Sequence, residues 1–175
     1  MEKYISKHSL PDHISVTSLV TAYKSISLYN RSPHKEAHNF PEMIFVRECS
    51  GEHCFLLDGI QHSAKKGQLF IFPPNSVHSL LPHSNARIDI ISFETESDIS
   101  VLYNKKPITL NTKQLHAFLE LIHLGSRLFE DLPSPGYKKG MSLRPRADIL
   151  QLQRFKNNLE LFLKIKKIQL YCKNL

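Results

Sequence analysis

Short strand-like segments recur along residues 14–94, and their spacing restricts the fold more than any other feature of the sequence. They begin roughly every 8–12 residues, are rich in β-branched and aromatic side chains, and are separated by turn residues. The clearest turn signal is Asp58-Gly59 between two strand-like runs, because a type I′ hairpin needs two residues at positive φ. The pattern predicts an all-β barrel or sandwich.

The period changes after residue 107. Asn111 and Gln114 match a capping box, and the apolar residues that follow at helical spacing predict a helix over about 112–124, with a possible continuation to Phe129. Residues 132–146 read as a loop, and a longer helix is predicted over about 147–171. We therefore expect a mainly β barrel with an N-terminal arm over 1–107 and a helical dimerisation or linker region over 108–175.

Composition and charge restrict where the protein can be located and what it can contact. The 41% hydrophobic share is enough for a core, and no apolar run approaches the roughly 20 residues of a membrane-spanning helix. The polar start lacks the apolar stretch of a signal peptide, so we expect a cytoplasmic protein with no membrane partner. The net charge of +7 comes entirely from residues 132–175, which hold ten basic and two acidic side chains, while the rest of the chain is nearly neutral. Such a tail can face an anionic partner or be an ordinary solvated surface.

One stretch resembles a known strand-and-turn motif. Gly67 is followed by four apolar or aromatic positions, Pro73, Asn75 and His78, in the order of the second cupin motif. Asn75 stands where that motif has a second glycine, and Asn is among the residues most tolerant of positive φ. The turn after Pro73 is expected to aim His78 into the barrel.

Upstream residues lie at the spacing of the first cupin motif. His38 and Glu42 match it, whereas Glu36 replaces its first histidine. By alternation with Glu42, Ile44 and Val46 also point inward, so the predicted ligand-binding pocket comprises Glu36, His38, Glu42, Ile44, Val46 and His78. The four polar members could bind a divalent metal. Because the first ligand is changed, we favour a barrel without metal or other cofactor, which uses these groups to hold a ligand or only each other.

The order of motifs resembles a regulatory family over most of the chain. HNFPEMIFVRECSGE, DGIQHSAKKGQLFIFPPNSVHSL, IDIISFE and LNTKQLHAFLELI follow one another as in the N-terminal cupin-like ligand-sensing and dimerisation domain of AraC-type transcription regulators. The resemblance implies a jelly-roll barrel with two C-terminal helices, a small-molecule effector such as a sugar or metabolite, and homodimerisation through the helices. It also implies DNA binding through a helix-turn-helix domain, for which this chain has no candidate segment, so we expect a fragment of a longer regulator.

The last helix offers a candidate interface. Leu152, Phe155, Leu159 and Phe162 form one apolar stripe, and Leu161, Ile165 and Ile168 form a second stripe beside it. We expect the first stripe to form the dimer interface, with packing on the chain's own barrel or first helix as the alternative.

Three functions fit these patterns. The first is a ligand-sensing domain rather than an enzyme. The second is a stand-alone metal-dependent cupin enzyme, which should keep a complete set of metal ligands. The third is a dimerisation module with an empty barrel.

Overall fold

A computed structural model describes residues 14–27, 35–50, 52–81, 86–103, 106–131 and 141–173 of the chain. The predicted N-terminal arm over residues 1–13 lies outside these ranges. The described residues form ten strands and two α-helices, with a short 3-10 helix at Ser100–Leu102. In chain order these elements are β1 (Val16–Ser27), β2 (Glu42–Glu48), β3 (Glu52–Leu57), β4 (Ile60–Lys65), β5 (Gln68–Phe72), β6 (His78–Leu80), β7 (Arg87–Thr95), β8 (Ile108–Thr109), α1 (Thr112–Leu128), β9 (Phe129–Asp131), β10 (Met141–Leu143) and α2 (Ile149–Lys173).

Two antiparallel sheets enclose the barrel interior. One sheet has the strand order β1-β7-β2-β5-β8, and the other has the order β4-β3-β6. The predicted mainly β, cupin-type fold with two helices near its C-terminal end is confirmed. Strand β8 pairs with β5, so the larger sheet extends slightly beyond the boundary predicted at residue 107.

The larger sheet has two buried faces. Along β2, Ile44 and Val46 join a core between the two sheets, while Met43 and Phe45 join a second core beneath the helices. This alternation follows from the period of two in a β-strand and confirms the inward orientation predicted for Ile44 and Val46. We call the two surfaces the inner face and the helix face.

Left-handed backbone appears at the predicted turns. Asp58 and Gly59 have φ values of 50° and 80°, as the hairpin between β3 and β4 requires. Asn75 has a φ of 62°, which explains why asparagine can stand at the glycine position of the motif.

Helix α1 begins at the predicted capping box. The side chain of Asn111 accepts from the backbone N–H of Gln114, and the Gln114 side chain accepts from the backbone N–H of Asn111. The helix continues through Gly125 to Leu128, although glycine lowers helix stability. A Cβ at Gly125 would lie 2.5 Å from Cβ of Ala22 in β1, so the glycine allows α1 to pack directly on the sheet.

Helix α2 packs differently from the prediction. Phe155, Leu159 and Phe162 are each at most 4% exposed and belong to the core beneath the helix face, and Leu152 packs against the same core. The stripe predicted as the dimer interface therefore packs within its own chain, which was the alternative expectation. The reason is that the outer surface of the sheet needs an apolar cover. Leu161 and Ile165 in the second stripe remain exposed.

Two smaller points complete the fold. Strand β10 lies inside the predicted loop over 132–146 and pairs with β9. Within the described part of the chain, neither helix is long and apolar enough to span a membrane.

Candidate ligand-binding site

Strands from both sheets bring Glu42 and His78 together. Glu42 is the first residue of β2 and pairs with Phe72 on one side and Ser92 on the other. His78 is the first residue of β6 in the smaller sheet, directly after the turn that contains Asn75. The side chain of Ser76 donates to the carbonyl of Pro73 over 2.7 Å and closes this turn. As predicted, the turn aims His78 into the barrel, where its side chain is fully buried.

The upstream segment is hydrogen-bonded to the same turn. Glu36 and His78 form an isolated antiparallel bridge, in which each backbone N–H donates to the other's carbonyl over 2.9 Å. The backbone N–H of Asn75 donates to the carbonyl of His38 over 2.7 Å. The two sequence motifs thus form one backbone-bonded unit, which fixes the positions from which their side chains start.

The four polar residues predicted for the pocket converge, and we call them the polar cluster. Nε2 of His38 lies 3.8 Å from Oε2 of Glu42, and Nε2 of His78 lies 3.8 Å from Oε1 of Glu42. Nε2 of His78 also lies 3.7 Å from Oε1 of Glu36. These separations are too long for hydrogen bonds. The side chains of His38, Glu42 and His78 are at most 14% exposed, whereas that of Glu36 is 45% exposed.

Each imidazole is oriented by its other nitrogen. Nδ1 of His38 lies 2.7 Å from the carbonyl of Phe40, and Nδ1 of His78 lies 3.2 Å from the carbonyl of Ser76. Since a carbonyl oxygen only accepts, Nδ1 carries the proton in both rings, and Nε2 of the neutral ring keeps a free lone pair. Both lone pairs are therefore free to accept a bond at the cluster.

A hydroxyl chain orients Glu42. The Ser92 hydroxyl donates to Oε2 of Glu42 over 2.9 Å, and the Thr21 hydroxyl donates to Oγ of Ser92 over 2.8 Å. Sequence reasoning missed Ser92 and Thr21. The available signal was the single polar residue in Ile90-Ile91-Ser92-Phe93, but its pairing with Glu42 depends on the strand order.

Three unpartnered atoms meet at the cluster. Among the described residues, four buried side-chain atoms have no hydrogen-bond partner: His38 Nε2, Glu42 Oε1, His78 Nε2 and Ser79 Oγ. The first three belong to the polar cluster, whose histidines and Glu42 offer atoms within 4.8 Å of one another. An unsatisfied buried polar group costs about 1–3 kcal/mol. Three such groups in one place make the polar cluster the candidate binding site.

Burial shifts the pKa values of two cluster residues in opposite directions. Burial, and then the charge of Glu36, raises the pKa of Glu42 to about 7, against a lowering effect of the Ser92 hydrogen bond. Burial, and then the neighbouring His38, lowers the pKa of His78 to about 4. His78 is therefore neutral near pH 7, and its contacts with the two carboxylates are not salt bridges.

Aromatic rings surround the cluster. Phe72 stacks on His78 with ring centroids 4.5 Å apart, and Phe40 stacks on His38 at 4.0 Å. Ile44 and Val46 lie on the same inner face as Glu42 but further along β2, in the fully buried core. The structure thus buries or largely buries five of the six predicted pocket residues, leaves Glu36 exposed beside them, and brings the four polar ones together.

The residues of the polar cluster fit a divalent metal ion. Two neutral imidazoles and a carboxylate are a donor set for divalent first-row metals, and each imidazole has the outer hydrogen bond that such ligands make. His38, Glu42 and His78 would hold the ion, with Glu36 beside them. A bound cation would supply positive charge and Lewis acidity at the buried carboxylate.

A cavity lies close to the polar cluster but does not include it. It has a volume of about 420 Å³ and is lined on one side by Asn39, Pro41 and Pro74 and on the other by residues 94–100 and Tyr103. None of the four polar residues lines it. We therefore assign the candidate site to the polar cluster.

Three solved structures resemble the chain weakly. The plu4264 protein from Photorhabdus luminescens is 20% identical with a TM-score of 0.32, over 36% of this chain and 53% of that protein. The EutQ protein from Clostridium difficile is 18% identical with a TM-score of 0.32, over 47% and 75%. YcfD, a ribosomal oxygenase from Escherichia coli, is 14% identical with a TM-score of 0.31, over 86% and 39%. The chain thus spans about half the length of the plu4264 protein, and TM-scores this low say nothing about its function.

Sequence families give a clearer result. None of the curated proteins searched is significantly similar in sequence to this chain. Residues 27–132, which are more than half of the chain and include the whole polar cluster, match the AraC-like ligand binding domain. The chain therefore belongs to the AraC-like ligand-binding domain family.

Proposed function

We propose that this chain is the sensor of an AraC-type transcription regulator and binds a small-molecule effector at the polar cluster. The observation that carries the proposal is the convergence of three buried, unpartnered acceptor atoms from His38, Glu42 and His78. Family membership supports a regulatory ligand-binding role rather than catalysis. Because the cluster offers acceptors, the effector should present hydroxyl or amino donors, as sugars and many metabolites do.

A physical connection runs from the cluster towards the helices. Glu42 is bonded to Ser92, and Ser92 is bonded to Thr21 of β1. Strand β1 in turn contacts both helices, since Ala22 packs against Gly125 of α1 and the backbone N–H of Val16 donates to Glu160 of α2 over 2.9 Å. An effector that changes the hydrogen bonding of Glu42 would therefore act on the strand that supports the helices.

A melting experiment tests the sensing proposal. A panel of monosaccharides, sugar acids and amino compounds is screened for a rise in Tm, because a ligand that binds only the folded state stabilises it. A hit should lose its effect in His38→Gln and keep it in Glu48→Gln. Glu48 is the control because it is an exposed carboxylate at the other end of β2 from Glu42. A panel without any hit, or hits that are insensitive to His38→Gln, would contradict effector binding at the cluster.

Dimerisation is proposed through the exposed side of α2. Leu161 and Ile165 are 56% and 39% exposed and lie four residues apart, so they share one face of the helix. The expected stripe is buried in the chain's own core, so Leu161 and Ile165 are the described members of the two stripes that are free to meet a partner. The occupant we propose is α2 of a second copy, as in other sensors of this class.

Sedimentation of matched variants tests the dimer. Leu161→Glu should shift the protein from dimer to monomer while its far-UV circular dichroism shows that the monomer remains folded. Ile60→Glu is the control, because Ile60 is also 56% exposed but lies in the hairpin between β3 and β4. A Leu161→Glu protein that remains dimeric would exclude this face.

The regulator part of the proposal concerns residues beyond this sequence. An AraC-type sensor controls an attached DNA-binding domain, so the source gene is expected to encode two helix-turn-helix units after codon 175. Reading that gene tests the expectation directly. A gene that ends there would favour a barrel that acts on its own.

The donor set favours one alternative function. Two imidazoles and a carboxylate with oriented outer hydrogen bonds are also the ligands of metal-dependent cupin enzymes. Such an enzyme would retain metal through purification and turn over a substrate in a metal-dependent manner. Metal content together with an absence of effector-induced change in the dimer would favour this alternative over the sensor.

A further inference from the structure

Glu36 differs from the other three cluster residues in its access to solvent. Its side chain is 45% exposed, while those of His38, Glu42 and His78 are 14%, 10% and 0% exposed. Its backbone is nevertheless held to His78 by two hydrogen bonds of 2.9 Å. The backbone of Glu36 is therefore fixed beside the buried site, while its carboxylate reaches solvent.

The charges of the cluster call for a cation. Glu36 and Glu42 are close enough for their charges to interact, and no Lys or Arg side chain of the described residues makes an ion pair with either. His78 lies within 3.8 Å of both carboxylates and His38 lies 3.8 Å from Glu42, but the Nδ1 atoms of the two rings already donate to carbonyls. A divalent ion would neutralise two carboxylates and satisfy all three orphaned atoms at once.

The separations are compatible with such an ion. Metal bonds of about 2.0–2.2 Å place neighbouring ligand atoms about 3–4 Å apart. The nitrogen–oxygen separations of 3.7 and 3.8 Å in the cluster fall in this range. A donor set of two nitrogens and two oxygens favours first-row ions such as Mn²⁺, Fe²⁺ or Zn²⁺ over Mg²⁺ or Ca²⁺, which prefer oxygen.

We propose that His38, Glu42 and His78 hold a divalent first-row metal ion and that Glu36 is its exchangeable fourth ligand, which an effector atom can displace. The inference rests on the proposed function and replaces its direct hydrogen bonds to the cluster by an oxygen or nitrogen atom of the effector that binds the ion. The replacement of histidine by Glu36 then has a purpose: it makes the metal site neutral and places the exchangeable ligand at the opening.

Titration with MnCl₂ alone tests metal binding. EDTA-treated protein should bind one Mn²⁺ per chain by equilibrium dialysis. Glu42→Gln should weaken binding by at least about 10-fold, the lower end of the loss seen even for outer-sphere partners of metal sites. Glu36→Gln should weaken it less than Glu42→Gln, and the control Glu48→Gln should match the wild type. No binding, or equal binding in wild type and Glu42→Gln, would overturn the metal site.

Water-proton relaxation tests the role of Glu36. If Glu36 occupies one position on the ion, Glu36→Ala should admit a water molecule and raise the relaxation enhancement of bound Mn²⁺ above that of the wild type. An unchanged enhancement would overturn the exchangeable ligand. Failure of the metal proposal is separable from failure of sensing: effector-induced stabilisation in EDTA that is lost in His38→Gln would leave the sensor intact without the ion.

Discussion

Two buried carboxylates on opposite faces of the same sheet have contrasting surroundings. Asp89 lies by alternation on the helix face and is fully buried, and its two oxygens accept from Nε and a terminal nitrogen of Arg47. Glu42 lies on the inner face, is 7% exposed, and has one oxygen bonded to Ser92 while the other has no hydrogen-bond partner. The first carboxylate is paired with a base, and the second is left partly unsatisfied.

The contrast indicates that Asp89 has a structural role and that Glu42 is part of a candidate binding site. On the helix face the buried charge of Asp89 is paired with Arg47, and apolar helix residues cover the core beside it. On the inner face Glu42 meets His38 and His78, and the three residues bring three unpartnered atoms together at a cost that folding alone does not justify. The same strands thus contribute alternate residues to a structural core and to a candidate site.

Breaking the ion pair between Arg47 and Asp89 should give the largest loss of stability. Arg47→Ala leaves Asp89 buried without its base, and removing one partner of a buried pair costs about 3–5 kcal/mol. Urea unfolding measures the change. The exposed pair between Arg87 and Glu48 is the control, and Arg87→Ala should cost less than about 1 kcal/mol. Similar losses in the two variants would contradict the distinction between a buried and an exposed pair.

Removing the charge of Glu42 should have the opposite effect in metal-free protein. The pKa of Glu42 is raised from 4.5 to about 7, so the folded state keeps a proton that the unfolded chain loses, and stability falls as pH rises through this window. Glu42→Gln abolishes that loss. Its free energy of unfolding relative to wild type should rise by about 1.4 kcal/mol per pH unit, reaching about 3 kcal/mol above pH 7.

His78 provides the internal control for this pH experiment. Its pKa is lowered from 6.5 to about 4, so the wild type loses stability as pH falls through that window. The stability of His78→Gln relative to wild type should therefore rise towards low pH, with a slope opposite to that of Glu42→Gln. Unfolding in urea with EDTA from pH 4 to pH 8 measures both slopes, and parallel slopes would contradict the two shifts.

The contact between α1 and the sheet should give the smallest of the three effects. In Gly125→Ala the new Cβ would meet Ala22 at 2.5 Å, and overpacking of this kind costs about 1–3 kcal/mol, although alanine favours the helix. Ala22→Gly together with Gly125→Ala should recover most of the loss, because the space is restored. Thermal unfolding of the single and double variants checks this. A double variant no more stable than Gly125→Ala would contradict direct packing.

Local chemistry made much of the fold predictable. The Asp58-Gly59 turn, the positive φ of Asn75 and the capping box at Asn111 each depend on a few neighbouring residues, and all three were found where the sequence predicted them. The convergence of Glu36, His38, Glu42 and His78 was also predicted, because the two segments resemble the paired cupin motifs, whose polar residues meet inside the barrel. Ser92 and Thr21 were not, since their roles depend on which strands lie side by side.

The packing of α2 also could not be predicted from local sequence. The two apolar stripes of α2 are visible in the sequence, but their periodicity is the same whether a stripe meets a sheet or a partner. Phe155, Leu159 and Phe162 pack inside the chain because the outer face of the sheet lies against them.

The sequence by itself determined the strand pattern, the turns, the family resemblance and the polar residues of the site, because each is encoded in local spacing and residue chemistry. Only the tertiary structure decided which stripe of α2 is covered, which hydroxyls orient Glu42 and which atoms of the site lack a partner. Those properties depend on contacts between residues far apart in the chain, such as Glu42 with Ser92 and Arg47 with Asp89. The distinction between a paired and an unsatisfied carboxylate therefore appears only once the sheets are assembled.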